Sequence, residues 1–206
     1  MTINRKFFFQ NAKKILFDGT ISVSQVAGCN AVLDAWEAGH KNDDDRWLAY
    51  MFGTAHHETG RAMWPIRETF AASDDQVISR LEKAFGAGKL TWVKAPYWRK
   101  DLQGMSWYGR GLVQITHRAN YERLGALIGV NLSSNPNLAL DIGVAVKIMF
   151  AGMMNGAFTG RKLADYFWEK KEDWRGARRI INGSERADLV ASYAKAYYSC
   201  ISYTTG

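Results

Sequence analysis

Apolar residues recur at helical spacing through most of this chain, and that period predicts a mainly α protein. Residues 7–17 form a short amphipathic segment ending at Gly19. Residues 22–37 carry Val23, Val26, Val32, Leu33 and Trp36, with Gly39 as a stop. Asn42-Asp43-Asp44-Asp45 places a cap and three acids where a helix macrodipole favours negative charge, so a helix is predicted over 43–58. Ser73-Asp74-Asp75-Gln76 opens another over 73–86 with a capping-box pattern. Residues 87–113 read as irregular or extended and suit a small hairpin or lobe. Helices resume over 116–128, 136–154, 161–168, 174–181 and 185–201. With no internal repeat, the pattern predicts two helical lobes flanking a central cleft and at most a small β-hairpin. Residues 1–40 would be an N-terminal helical segment packed on a domain of residues 41–206.

Within the 43–58 helix, Trp47, Met51 and Ala55 form one stripe, and Glu58, seven residues after Met51, shares it. A carboxylate on a buried stripe is costly unless it is paired, hydrogen-bonded or kept for chemistry. Glu58 also falls at the helix C-terminus, whose partial negative charge disfavours a second negative charge and so favours the protonated form a general acid needs. Ten residues on stands Glu68. On one straight helix the two would lie roughly 15 Å apart, too far to share a bond. Gly60 permits a stop, and Pro65 biases Trp64 away from helix, so a returning loop brings them within reach. Two glutamates flanking a sugar bond are the minimal apparatus of a glycosidase.

The 206 residues fit one domain, and 47% hydrophobic residues supply a sizeable core. A net charge of +7 predicts attraction to a polyanion such as bacterial wall, anionic membrane or nucleic acid. Lys and Arg are scattered, in local clusters at Lys13-Lys14, Arg161-Lys162 and Arg178-Arg179, with no dense basic helix. Nucleic acid is therefore not the expected partner. The basic 7–17 segment leaves contact with a membrane surface open. Cys29 and Cys200 form no disulfide framework and no metal-ligand spacing, so reduced, buried thiols are expected. His56 and His57 lack a third ligand, so no metal is expected, and no cofactor. The polar residues Gln10, Asn11, Lys13 and Lys14 interrupt the N-terminal apolar run, which does not read as a signal peptide or span. Action outside a cytoplasm would then require a separate release step through a pore.

Four blocks now stand in order. They are His57-Glu58-Thr59-Gly60, Arg67-Glu68-Thr69-Phe70, the run Tyr108-Gly109-Arg110-Gly111-Leu112-Val113-Gln114-Ile115-Thr116-His117 through Asn120-Tyr121, and Ile180-Ile181-Asn182-Gly183. With Ile128 to Leu132 and Asn135 to Leu138, this set resembles glycoside hydrolase family 19, the chitinase-like fold, over roughly residues 45 to 200. The resemblance leans toward the compact phage endolysins of that family.

The resemblance implies Glu58 as general acid, Glu68 as general base, and Thr116 as the hydroxyl that helps hold the attacking water. Gln114, Asn120 and Asn182 would line the sugar cleft, Tyr108 would contact substrate, and His57 would hydrogen-bond beside the acid. An inverting route follows, with carboxyl groups roughly 6.5–9.5 Å apart. Arg67, if its side chain approaches Glu68, would favour the ionised base. The longer insertion, extra loops and disulfides of plant members are absent, and Ser184 stands where a second glycine is usual. The implied function is a monomeric endolysin that cuts β-1,4 bonds of peptidoglycan. A chitinase of similar mechanism and a non-catalytic wall-binding module are the rivals, as is a transglycosylase-like route using Glu58 without a base.

Overall fold

The computed structural model describes residues 2–204. Helix α1 (Arg5–Leu16) is capped by Asn4 and buries Phe8, Ala12 and Leu16, leaving Phe7 and Ile15 exposed. Helix α2 (Val23–Gly39) opens on a reciprocal capping box. The Gln25 amide donates to Ser22 Oγ at 3.2 Å, and the Ser22 amide donates to Gln25 Oε1 at 2.8 Å. The N- and C-terminal segments meet, Asn4 donating its amide to the Ser202 carbonyl at 2.7 Å. Among the described residues, no helix is long and apolar enough to cross a membrane.

Helix α3 (Asp45–Glu58) is the spine of the large core, with Leu48 through Ala55 and His56 all buried. It lies against α7 (Ala187–Tyr198), with Phe52 stacked on Tyr197 at 4.9 Å between ring centroids. Gly53 makes this approach feasible, because a Cβ there would stand 2.7 Å from the Ala194 amide nitrogen. Cys29 and Cys200 are free and buried in the same core. Burial pushes their thiols up to about 12 and about 11, so they pack as small apolar groups.

A smaller core of Ala71, Val77, Leu81, Trp98 and Tyr108 is built on α4 (Asp74–Gly86) and the irregular chain after it. The cleft runs between this lobe and the large one, as the helical pattern predicts. The two lobes are joined through strand β1 (Ile66–Arg67), which pairs antiparallel with β2 (Arg110–Gly111). This is a long-range ribbon and not the local hairpin expected within 87–113. Helices α5 (Arg118–Ile128) and α6 (Ile142–Asn155) both end on left-handed glycines, Gly129 and Gly156.

Three predicted helices are altered. Residues 136–154 divide at Asp141, whose side chain accepts from the Val144 amide and caps α6, leaving a 3₁₀ turn over Pro136–Leu140. Residues 161–168 hold a single 3₁₀ turn followed by β3 (Phe167–Trp168), which pairs with β4 (Lys171–Glu172). Residues 174–181 contain the 3₁₀ turn Gly176–Ile180. The Asp141 cap divides the first segment and lets α6 propagate only beyond it, and the β3–β4 pairing ends the second.

Candidate active site

Helix α3 stops where Gly60 was expected to stop it. Thr59 is the C-cap, its hydroxyl donating to the Ala55 carbonyl at 2.7 Å, and Gly60 takes φ +54. Glu58 therefore emerges from the large core at the cleft edge with its side chain 16% exposed. Its Oε1 accepts from Arg178 Nη1 at 2.6 Å, and Arg178, 5% exposed, also donates Nε to the Glu185 carbonyl at 3.1 Å. The carboxylate charge is thus compensated by a buried guanidinium, and is not simply opposed by a helix end as the sequence suggested. The sequence marked Arg178 only as part of a basic cluster. Its role arises from a contact across 120 residues that no local pattern encodes.

Glu68 is presented by the other lobe. Its amide donates to the Gly109 carbonyl at 2.7 Å, while its Oε2 accepts from the Gly109 amide at 2.8 Å and its Oε1 from the Tyr97 hydroxyl at 2.8 Å. A backbone donor and a phenol thus fix both oxygens. Burial and the neighbouring Glu68 charge raise the Tyr97 pKa, so the phenol stays the donor. Arg67 does not approach Glu68. Its Nε pairs with Asp74 Oδ1 at 2.9 Å, because successive residues of a strand face opposite sides.

The cleft is about 850 Å³ and is walled by Glu58, Ile181 and Asn182 on one side. Trp92 to Tyr97, with Trp107, Gln114, Thr116 and His117, form the other. Glu68, expected to line the cleft opposite Glu58, is not among its lining residues; it is hydrogen-bonded to Tyr97, which is. Thr116 lines the cleft, and its hydroxyl makes no hydrogen bond among the described residues. The N-cap of α5 is His117, so Thr116 does not cap that helix. Gln114 donates Nε2 to the carbonyls of Ile66 and Gly111, each at 3.1 Å, fastening the β1–β2 ribbon while it faces the cleft. Trp92 is 72% exposed on this wall, whereas Trp98 and Trp107 are buried.

Three expected contacts differ. Tyr108 is fully buried and donates its hydroxyl to Asp74 Oδ1 at 2.6 Å, so it supports the lobe and does not touch substrate. Asn120 lies behind the wall, its Nδ2 donating to the Thr116 carbonyl at 2.7 Å and its Oδ1 accepting from Arg123. It steadies Thr116 from behind. His57 is half-buried next to Glu58, off the cleft wall, and makes no side-chain hydrogen bond among the described residues. Burial lowers its pKa, with Glu58 opposing and Arg178 adding to the shift. His56 is a core residue, its Nδ1 3.0 Å from the Tyr197 hydroxyl, and burial takes its pKa to about 4. No cluster of three metal-ligating side chains occurs among the described residues.

The backbone around the cleft is strained. Left-handed φ angles occur at Arg61, Met63, Thr69, Phe70, Gln114 and His117, none of them glycine. Each such residue costs about 1–2 kcal/mol, and strain that persists is held by its surroundings.

The sequence model of family 19, described as chitinase class I, matches residues 23–157. Chitinase 3 of Oryza sativa subsp. japonica is 27% identical over 175 residues, covering 80% of this chain and 52% of that protein. Acidic endochitinase Q of Nicotiana tabacum is 44% identical over 50 residues, covering 24% of this chain and 20% of that one. The chain thus spans about half or less of the curated relatives it matches. The crystal structure of chitinase C from Streptomyces griseus HUT6037 superposes with a TM-score of 0.55 at 18% identity, over 96% of this chain and 75% of that one. At that identity the superposition establishes the shared fold. The family match, the mainly helical two-lobed fold and the ordered motif blocks agree: this chain belongs to glycoside hydrolase family 19.

Proposed function

We propose that the protein hydrolyses β-1,4 glycosidic bonds of bacterial peptidoglycan by an inverting acid/base mechanism, as an endolysin. What supports the reading is a pair of glutamates held by different parts of the fold, Glu58 lining the cleft at the end of α3 and Glu68 hydrogen-bonded to Tyr97 of the lining, with the Thr116 hydroxyl, unpartnered among the described residues, lining the same cleft. Glu58 gives its proton to the glycosidic oxygen as the bond from that oxygen to the anomeric carbon breaks. Arg178 then faces a carboxylate whose charge grows in the transition state, a preorganised stabilisation. Glu68 accepts a proton from the water that attacks the anomeric carbon from the opposite face, while Thr116 holds that water. Tyr97 and the Gly109 amide keep the base carboxylate aimed. Peptidoglycan is favoured over a neutral polymer by the net charge of +7, which draws the protein to an anionic wall.

A chitin substrate is the second reading, favoured by the relatives that are named chitinases. Turbidity clearing of permeabilised bacteria, run beside soluble chitin oligomers, separates the two. Clearing without oligomer cleavage supports peptidoglycan; the reverse supports chitin; binding to walls without either reaction leaves a binding module. Mass spectrometry of the released glycans tests the base. Reducing ends mean hydrolysis, whereas anhydro ends remove Glu68 from the mechanism.

A further inference from the structure

Phe70 is a large residue whose placement hydrophobic burial does not explain. It is 63% exposed, yet the chain takes two consecutive left-handed residues to place it, Thr69 at φ 61 and Phe70 at φ 56. For a β-branched and an aromatic side chain this conformation is strongly disfavoured. The turn is held from outside. Arg80 Nη1 donates to the Thr69 carbonyl at 2.7 Å, and Glu68, the residue just before, is anchored on Gly109 through its amide and its carboxylate.

The turn drives the Phe70 ring back onto Gly60, two residues after Glu58. A Cβ on Gly60 would lie 2.6 Å from Phe70 Cζ, so the ring occupies the space a side chain there would need. Gly60 belongs to the end of α3, where the Gly60 and Arg61 amides donate to the His57 and His56 carbonyls at 3.1 and 2.7 Å. One aromatic ring therefore spans from the turn that carries Glu68 to the helix end that carries Glu58.

We propose that Phe70 is a positioning residue, a brace between the two lobes that sets the separation of the Glu58 and Glu68 carboxyl groups. The inference rests on the glycosidase reading for its catalytic consequence but has a structural readout of its own. Strain persisting beside functional groups suits such a role, because a relaxed turn would release the ring from Gly60.

The test compares wild type, Phe70→Ala and Phe70→Tyr. Amide hydrogen exchange in the Ala variant should quicken at least about tenfold at Gly60, Arg61 and Gly109 together. It should be unchanged at Val77 in α4, and Phe70→Tyr should restore the wild-type pattern. Measured on cleaved glycan well below each melting midpoint, kcat should fall about tenfold with KM within about twofold, again restored by Tyr. Unchanged exchange at those three amides overturns the brace whatever the activity. Altered exchange with unchanged kcat overturns its catalytic consequence. A wild type that cleaves neither peptidoglycan nor chitin oligomers overturns the functional reading alone, and exchange then still decides the brace.

Discussion

Asp74 is the hub on which the Glu68 side of the cleft hangs, and Asp74→Asn tests that arrangement. Its Oδ1 accepts from the Tyr108 hydroxyl at 2.6 Å and Arg67 Nε at 2.9 Å. Its Oδ2 accepts from Arg110 Nη2 at 3.2 Å and Asn137 Nδ2 at 3.3 Å. Burial alone would push this carboxyl up, but the donors from Tyr108 and Arg67 and the charge of Arg110 outweigh it and hold the pKa at about 2. Against about 3.9 for a free aspartate, that difference corresponds to roughly 2.5 kcal/mol before screening. With the side chain 31% exposed, about 1.5 kcal/mol is the better figure.

The larger loss falls on Arg110. Its side chain is 0% exposed, and Asp74 is its sole ionic partner among the described residues. Removing one member of a buried pair costs about 3–5 kcal/mol. Asn137, the Ser106 carbonyl and the Tyr121 hydroxyl still accept from Arg110, and the Tyr108 ring lies 3.5 Å from its guanidinium carbon, so the low end applies. Asp74→Asn should therefore destabilise by about 3 kcal/mol at pH 7, lowering the melting midpoint by roughly 6–12 °C in a chain of this length.

The pH arm has a definite sign. The folded pKa lies below the unfolded one, so the Asp74 contribution is full above about pH 4 and is lost as pH falls through about 2. Denaturation of both proteins from pH 7 to pH 2 should show a constant gap that closes only at the acid end. A gap under about 0.5 kcal/mol at pH 7, or one that persists undiminished at pH 2, would refute the reasoning, since the carboxylate charge would then not be what holds the lobe.

The remaining predictions concern the two carboxylates and the helix pair beneath them. Glu58→Gln should lower hydrolysis by at least about 10²-fold, the least a general acid supplies, and residual activity within tenfold would remove it from that role. The same change should cost about 1–3 kcal/mol in urea unfolding, because Arg178, 5% exposed, loses its counter-charge. Tyr97→Phe deletes the 2.8 Å hydrogen bond to Glu68 Oε1 and should lower kcat about tenfold with KM nearly unchanged; an unaltered kcat would mean that this donor does not aim the base. Gly53→Ala should destabilise by about 3 kcal/mol or more, since its Cβ would meet Ala194 backbone at 2.7 Å and neither helix can yield locally; a neutral melting shift would show that α3 and α7 separate easily.

The readable parts of this fold were those encoded locally. Ser22 and Ser73 cap the helices they were expected to open, and the α3 cap falls on Asp44, two residues past the expected Asn42, because a side-chain oxygen and an amide within three residues settle that geometry locally. The end of α3 and the returning loop were legible for the same reason, through Gly60 and Pro65. What escaped was decided by competition between distant partners. Arg67 had two carboxylates in reach along the sequence, Glu68 and Asp74, and adjacency favoured the wrong one. Yet strand alternation turns Arg67 and Glu68 to opposite faces, so once residues 66–67 are known to be extended the pairing with Asp74 follows. Tyr108 is the parallel case, since its place in the motif suggested substrate while its hydroxyl went to the same Asp74. Arg178 had no such cue. Its partner is 120 residues away, and only the packing of the 3₁₀ turn Gly176–Ile180 beside the end of α3 makes a basic pair into the counter-charge of Glu58. The motif residues name the reacting groups. The residues that hold those groups in place are chosen by tertiary contacts, and it is there that Asp74, Arg178 and Phe70 enter.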